Sequence, residues 1–149
     1  MRLTRYSDYA MRVLIYLAAR SDRVSSISDI SNIYGISQNH LMKVVHDLRK
    51  AGYIASRRGR NGGVKLALPA SDIGVGTLLR LTEDGFDLVD CPNCILTSGC
   101  GLSSALDEAT AAFLAVLDRY SLADLVESRR DMLRTIMVRN EVSAAGNVS

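Results

Sequence analysis

Residues 26–68 read SISDISNIYGISQNHLMKVVHDLRKAGYIASRRGRNGGVKLAL, and this stretch decides the fold. Isoleucines recur at helical spacing up to Ile33, and Gly35 then supplies a tight turn. A second amphipathic helix is predicted from Gln38 to about Lys50. Two short amphipathic helices joined by a three-residue turn that contains glycine are typical of a helix-turn-helix.

A β-hairpin is predicted directly after these helices. Residues 53–57 and 64–68 alternate as short strands, and the segment RGRNGG at 58–63 joins them. Asn-Gly and the further glycines permit the positive φ angles of a hairpin turn. A hairpin in this position is a wing, so we predict a mainly α fold with a small β-hairpin wing.

The rest of the chain is predicted to be helical around one loop. A first helix is expected from about Ser7, as its N-cap, to Arg20. Apolar residues then repeat every three or four positions along a long helix, as in a dimerisation seam. The expected organisation is a winged helix-turn-helix domain at 1–80, a cysteine-containing loop at 81–101, a dimerisation helix at 102–120, C-terminal helices at 121–139 and a disordered tail at 140–149.

Charge is divided unequally between the two halves of the chain. Residues 1–80 hold 13 Lys and Arg against 5 Asp and Glu, whereas residues 81–149 hold 5 against 11. Such a division is typical of a chain that binds a polyanion with one part only. A merely solvated basic surface is the alternative that charge alone leaves open.

Double-stranded DNA is the polyanion that the pattern favours. The polar face of the second helix offers amide side chains near its N-terminus, where recognition helices meet base edges. Arginines at the narrow tip of the wing suit a minor groove, and Gly62 and Gly63 let the backbone approach closely. The alternatives are an ordinary solvated helix face and an ordinary charged hairpin. The predicted DNA-binding residues are Gln38, Asn39, His40, Lys43, Arg49, Arg57, Arg58, Arg60, Asn61, Gly62 and Lys65.

All three cysteines of the chain lie in one short stretch, CPNCILTSGC at 91–100. Three thiolates on one loop can bind a soft metal or an iron–sulfur cluster. A structural zinc site needs a fourth ligand, and neither Cys nor His lies nearby. We favour a cluster on Cys91, Cys94 and Cys100 over zinc, a disulfide switch or inert thiols. The two histidines are better suited to DNA contact or the surface than to metal binding.

Four stretches resemble a family of dimeric winged-helix bacterial regulators that carry an iron–sulfur cluster, which includes IscR, RirA and NsrR. They are MRLTRYSDYAMRVLIYLA at 1–18, SSISDISNIYGISQNHLMKVVHDLRKAGYI at 25–54, RRGRNGGVKLALPASDI at 57–73 and CGLSSALDEATAAFLAVLDRYSLADLV at 100–126. The chain is most similar to the NsrR-like, nitric-oxide-sensitive members. IscR-like members have a His shortly after the third cysteine, and here residues 103 and 104 are both serine.

The resemblance implies a site and a function. The three cysteines match the cluster ligands of the family, and Asp8 of the partner subunit matches the fourth ligand. Residue reasoning alone assigns Asp8 to the helix dipole. The implied cofactor is a [4Fe–4S] cluster in preference to [2Fe–2S]. The implied function is a homodimeric repressor that releases promoter DNA when nitric oxide attacks the cluster, which derepresses nitric-oxide detoxification genes.

Other function classes remain as alternatives or are disfavoured. An iron- or redox-responsive cluster regulator and a zinc-stabilised constitutive DNA-binding protein both stay open. No histidine or lysine lies near the thiols in sequence to act as a base, so we do not expect an enzyme. The chain has no membrane-spanning apolar run and no signal peptide, and we expect it in the cytoplasm.

Overall fold

The helix-turn-helix is present in the computed structural model, which describes residues 2–96 and 98–145. Gly35 ends the second helix at a φ of 62°, and the Ser37 side chain accepts a hydrogen bond from the His40 backbone N–H at the start of the third. These local signals are the ones that the sequence carried. The helices are α1 Arg5–Ala19, α2 Ile27–Tyr34 and α3 Gln38–Lys50.

The wing is a two-stranded antiparallel hairpin, as predicted. Its strands are β1 Ile54–Arg57 and β2 Gly63–Leu66, slightly shorter than the alternation suggested. Ile54 lies opposite Leu66 and Arg57 lies opposite Gly63. Ile54 at the base of the hairpin and Val64 nearer its tip are both buried, so the two strands are anchored in the core.

Helices and short 3-10 turns make up the remainder. The helices are α4 Val75–Thr82, α5 Gly101–Leu117, α6 Leu122–Val126 and α7 Arg130–Ala145. The 3-10 turns are Ala70–Asp72, Cys91–Asn93 and Glu127–Arg129. Helix α7 therefore includes residues 140–145, which we expected in a disordered tail. Residues 146–149 of that predicted tail lie outside the described residues.

The core is aliphatic and is built around α1. Its buried side chains include Val13, Leu14, Tyr16 and Leu17, all at most 1% exposed. Helix α1 packs against α3, α4, α6 and α7, so one helix contacts both the DNA-side elements and the C-terminal ones. A shift of α1 would therefore displace the elements packed against it, on both the DNA side and the C-terminal side.

Helix α5 lies outside this core. The chain returns from it through a short β-bridge, in which the Val75 N–H donates to the Tyr120 carbonyl at 2.9 Å and the Leu122 N–H donates to the Ile73 carbonyl at 2.8 Å. Within the described part of the chain, α5 has no buried residue, although it is mostly apolar. Leu102 and Val116 are 56% and 44% exposed.

The start of α1 corrects one expectation. We predicted Ser7 as the N-cap, but Thr4 is the cap, and its side chain accepts from the Ser7 N–H. Ser7 is fully buried one turn further on, where its hydroxyl donates to the Thr82 hydroxyl at 2.8 Å. A buried hydroxyl requires a hydrogen-bond partner, and only the packing of α4 against α1 supplies this one.

Gly62 and Gly63 are required by close contacts with the chain's own backbone. A Cβ on Gly63 would lie 2.5 Å from the Ser25 carbonyl oxygen, and one on Gly62 would collide with the Arg57 carbonyl. Ser25 and Val64 exchange two backbone hydrogen bonds here, at 2.8 and 2.9 Å. The sequence predicts that these glycines allow close approach of the backbone, and the backbone that they approach is the chain's own.

We therefore expect Gly63→Ala to lower the free energy of unfolding by roughly 1–3 kcal/mol, the usual cost of overpacking. Chemical denaturation measures this free energy of unfolding. The matched control is Gly101→Ala, where a Cβ meets no atom within 4 Å. That control should change stability by at most about 0.5 kcal/mol. Equal stability of the two variants would show that the Ser25 contact relaxes without cost.

Candidate nucleic-acid interface and thiol loop

Helix α3 presents one face to the core and leaves the opposite face exposed. Leu41, Val44, Val45 and Leu48 are buried. The residues predicted to read DNA all lie outside that stripe and are exposed: Gln38, Asn39, His40, Lys43 and Arg49. An exposed polar face of this kind is what a helix entering the major groove requires.

Lys43 has a partner one turn further along α3. Its Nζ lies 3.2 Å from Oδ2 of Asp47 and 6.0 Å from the centroid of the Tyr6 ring. The Tyr6 hydroxyl donates to the same Asp47 oxygen at 3.0 Å. Burial and the hydrogen bond to Asp47 raise the pKa of Tyr6 to about 12, so its hydroxyl remains a donor at neutral pH. Helix α1 thus holds a carboxylate on the recognition helix.

The wing tip is exposed and basic. Arg49 of α3 donates from Nη1 to the Ser56 hydroxyl of β1 at 3.4 Å, which links the recognition helix to the wing. Gly59 turns the tip at a φ of 106°. The exposed residues of the wing that we predicted to contact DNA are Arg57, Arg58, Arg60, Asn61 and Lys65, and Gly62 is half-buried beside them.

The thiol loop, residues 83–100, connects α4 to α5. A 3-10 turn brings the Cys94 N–H to 3.0 Å from the Cys91 carbonyl. Cys91 and Cys100 are half-buried and Cys94 is exposed, and all three are thiols rather than disulfides. Cys91 also lines a cleft of about 490 Å³ between the loop and α5, together with Phe86 and Leu106.

The donor chemistry of this loop suits a cluster, but one chain does not bring the donors together. None of the three cysteines forms a disulfide. Their thiolates are the soft ligands that bind iron–sulfur clusters. Among the residues described, no group of three or more His, Cys, Asp or Glu side chains is arranged around a metal position. Asp8 lies on α1, where its carboxylate pairs with Arg12 at 2.9 Å.

A hydrogen-bonded latch joins the start of α1 to the start of the thiol loop. The backbone N–H and the hydroxyl of Thr4 donate to Oε1 of Glu83 at 2.8 and 3.0 Å. Partial burial acts to raise the pKa of Glu83, but donors of Ser7 and Thr4 outweigh it and hold this pKa below its usual range. Sequence inspection missed the latch, since its partners are 79 positions apart.

We expect the latch to make stability depend on pH. Because the pKa of folded Glu83 is depressed, its contribution is present above the ordinary glutamate pKa and is lost as pH falls through the folded value. The unfolding free energy of Glu83→Gln should therefore fall less than that of the wild type between about pH 5 and pH 3. Glu127→Gln, at an exposed position, should follow the wild-type curve. Identical stability curves for the wild type and both variants would show that Glu83 does not contribute to the pH dependence of stability.

A second link joins α4 to the end of α5. Arg80 donates two hydrogen bonds to Asp118, at 2.6 and 2.8 Å. This pairing holds the pKa of Asp118 below its usual range. Gly76 lies against the same carboxylate, where a Cβ would collide with it. The long helix is thus oriented from the DNA-side domain at its far end, while the thiol loop enters at its near end.

An exposed recognition helix with a basic hairpin beside it defines a winged-helix DNA-binding protein. The class is that of transcription regulators. Residues 3–128 match the model of the Rrf2 family, described as iron-dependent transcriptional regulators, and the chain belongs to this family. Membership in a family of regulators confirms that the chain is not an enzyme. Among the described helices, none is long and apolar enough to cross a membrane.

Relatives and solved structures agree with this placement. The chain is 44% identical to the HTH-type transcriptional regulator NsrR of Bacillus subtilis, over 93% of this chain and 99% of that protein. It is 46% identical to the NsrR of Bacillus licheniformis, over 92% and 99%. The structure of T. potens IscR superposes with a TM-score of 0.72 at 27% identity, over 86% of this chain and 88% of that one. Staphylococcus aureus CymR in its oxidized form gives 0.71 at 28% identity, over 84% and 95%.

Proposed function

We propose that this protein is a cytoplasmic, homodimeric repressor that senses nitric oxide through an iron–sulfur cluster. The observation that carries the proposal is the thiol loop. It places all three cysteines of the chain between the DNA-binding domain and α5, in a chain similar to regulators named NsrR. The target genes expected from that likeness are those of nitric-oxide detoxification.

Promoter DNA is bound by two elements. The exposed face of α3 reads bases through Gln38 and Asn39, whose amides suit adenine. The wing inserts Arg58 and Arg60 into the neighbouring minor groove. Lys43 contributes less than an unpaired lysine would, because Asp47 already offsets its charge.

Dimerisation through α5 follows from its exposed apolar residues. A helix that is mostly apolar and has no buried residue in its own chain would leave a large apolar surface in water. Packing against a second copy removes Leu102 and Val116 from solvent, in the manner of a two-helix seam. The dimer then sets the spacing of the two recognition helices on the DNA.

Cys91, Cys94 and Cys100 would hold the cluster, with Asp8 of the partner subunit as the fourth ligand. A [4Fe–4S] cluster is favoured, and when bound it supplies iron that reacts with nitric oxide. To bind through the oxygen that it shares with Arg12, Asp8 would leave this pair. That surface pair costs little to break, because an exposed ion pair contributes at most about 1 kcal/mol.

The first turn of α1 carries the signal to the DNA-binding face. Thr4 binds Glu83 at the start of the thiol loop, Tyr6 binds Asp47 on the recognition helix, and Asp8 lies one residue beyond the buried Ser7. A change in the loop therefore pulls on a rigid helix that also touches α3. The two recognition helices move relative to each other, and the fit to two half-sites is lost.

The proposal is tested by anaerobic purification followed by titration with nitric oxide, recording visible absorption and promoter binding in the same samples. We expect the purified protein to be coloured, and we expect nitric oxide to abolish its visible absorption bands and its promoter binding in parallel. Asp8→Asn should keep a cluster but change its rate of reaction, whereas Asp131→Asn on α7 should not. Release of DNA by iron chelation but not by nitric oxide would favour the iron-responsive alternative. Colourless protein that holds zinc would favour the constitutive one.

A further inference from the structure

Met42 is an exposed apolar side chain among the polar residues of α3, beside its buried stripe. It is 55% exposed, stands one turn into the helix and is not one of the buried residues of α3. At helical spacing from it, Gln38, Asn39 and His46 are exposed and Val45 is buried. Packing within the chain therefore does not account for a methionine at this position.

The surroundings of Met42 select one kind of partner. The same face carries amides, histidines and basic residues, which suits a polyanion rather than an apolar protein surface. In the major groove of DNA, the one apolar group that a base presents is the C5-methyl of thymine. Methionine is unbranched and polarisable, so its side chain adapts to such a small apolar target.

We propose that Met42 contacts the C5-methyl group of a thymine and thereby helps to determine the operator sequence. The inference rests on the proposed binding of α3 in the major groove and adds one specificity-determining residue to it. The neighbouring Gln38 and Asn39 recognise hydrogen-bonding edges, whereas Met42 distinguishes thymine from cytosine and from uracil by an apolar contact.

The test removes only the methyl group. A duplex is selected by the wild-type protein from a randomised pool, and each thymine of one half-site is then replaced singly by deoxyuridine. We expect one position at which this change weakens wild-type binding about fourfold, the value of one buried methyl-sized group. At that position Met42→Ala and Met42→Gln should bind both duplexes equally. Alanine favours the helix, so the first variant should fold normally.

The matched control is Met132→Ala, because Met132 is a similarly exposed methionine, 63% accessible, on α7. It should keep the wild-type response to deoxyuridine. The proposal is overturned when no thymine is sensitive in the wild type, or when both Met42 variants keep the wild-type sensitivity. Failure of the wild-type protein to select any sequence would reject the DNA-binding proposal and this inference together, whereas selection without methyl sensitivity would reject this inference alone.

Discussion

Protein in which Cys91, Cys94 and Cys100 are all replaced by serine should contain neither iron nor sulfide after anaerobic purification, and should be colourless. Serine keeps the size of each side chain but supplies a hard oxygen in place of the soft thiolate that iron–sulfur clusters take. The fold should survive, because none of the three cysteines belongs to the buried core. Metal analysis and visible absorption measure the loss.

The same variant should bind promoter DNA more weakly than the cluster-loaded wild type. Coupling between two sites typically amounts to about 5- to 150-fold in affinity, and we expect a decrease within that range. Ser98→Ala, in the same loop, is the matched control and should keep both colour and affinity. Wild-type affinity in the triple variant would mean that the thiol loop does not govern DNA binding, whatever it holds.

The second large effect is expected at the wing. Changing Arg58 and Arg60 together to alanine should lower DNA affinity by about two orders of magnitude or more, since each contact is worth roughly 1–3 kcal/mol. The slope of log affinity against log salt should also become shallower by about two for each bound subunit. Fluorescence anisotropy at several salt concentrations measures both quantities, and the cluster absorption should not change.

The effect of losing positive charge must be distinguished from the effect of losing these two arginines at the wing. Arg129→Ala with Arg139→Ala removes the same charge from exposed residues of the C-terminal region, so it serves as the control. This pair should affect binding only weakly at low salt, through the overall field. Equal losses for the two double variants would contradict insertion of the wing and leave only general attraction between a basic protein and DNA.

The DNA-binding half was predictable because its signals are local. Gly35 adopts the left-handed conformation that its turn requires, and the Ser37 side chain caps α3. Beyond the DNA-binding half, Ser121 caps α6 in the same way. Each of these signals acts over three or four residues, so the order of helices and strands could be predicted from neighbours in the chain. The matching family confirms the winged-helix class to which they lead.

The relations between distant residues were not predictable. The sequence predicts Ser7 as a cap, but Thr82, 75 positions away, makes it a buried partner of α4. Tyr6 binds Asp47 across the α1–α3 contact. The sequence predicts that Gly63 allows close approach of the backbone in a DNA-binding wing, but Ser25 is what it approaches. None of these pairs leaves a periodic trace in the sequence.

By itself, the sequence determined the order of the elements and the chemistry available: a polar recognition helix, an arginine-tipped wing and three thiols on one loop. The tertiary structure alone decided how each polar group is used. Glu83 is bound by Thr4 inside the latch, whereas Arg58 and Met42 remain exposed for a partner. The physical reason is that a buried polar group must find its hydrogen-bond partner within the fold, and folding alone determines which residue lies opposite.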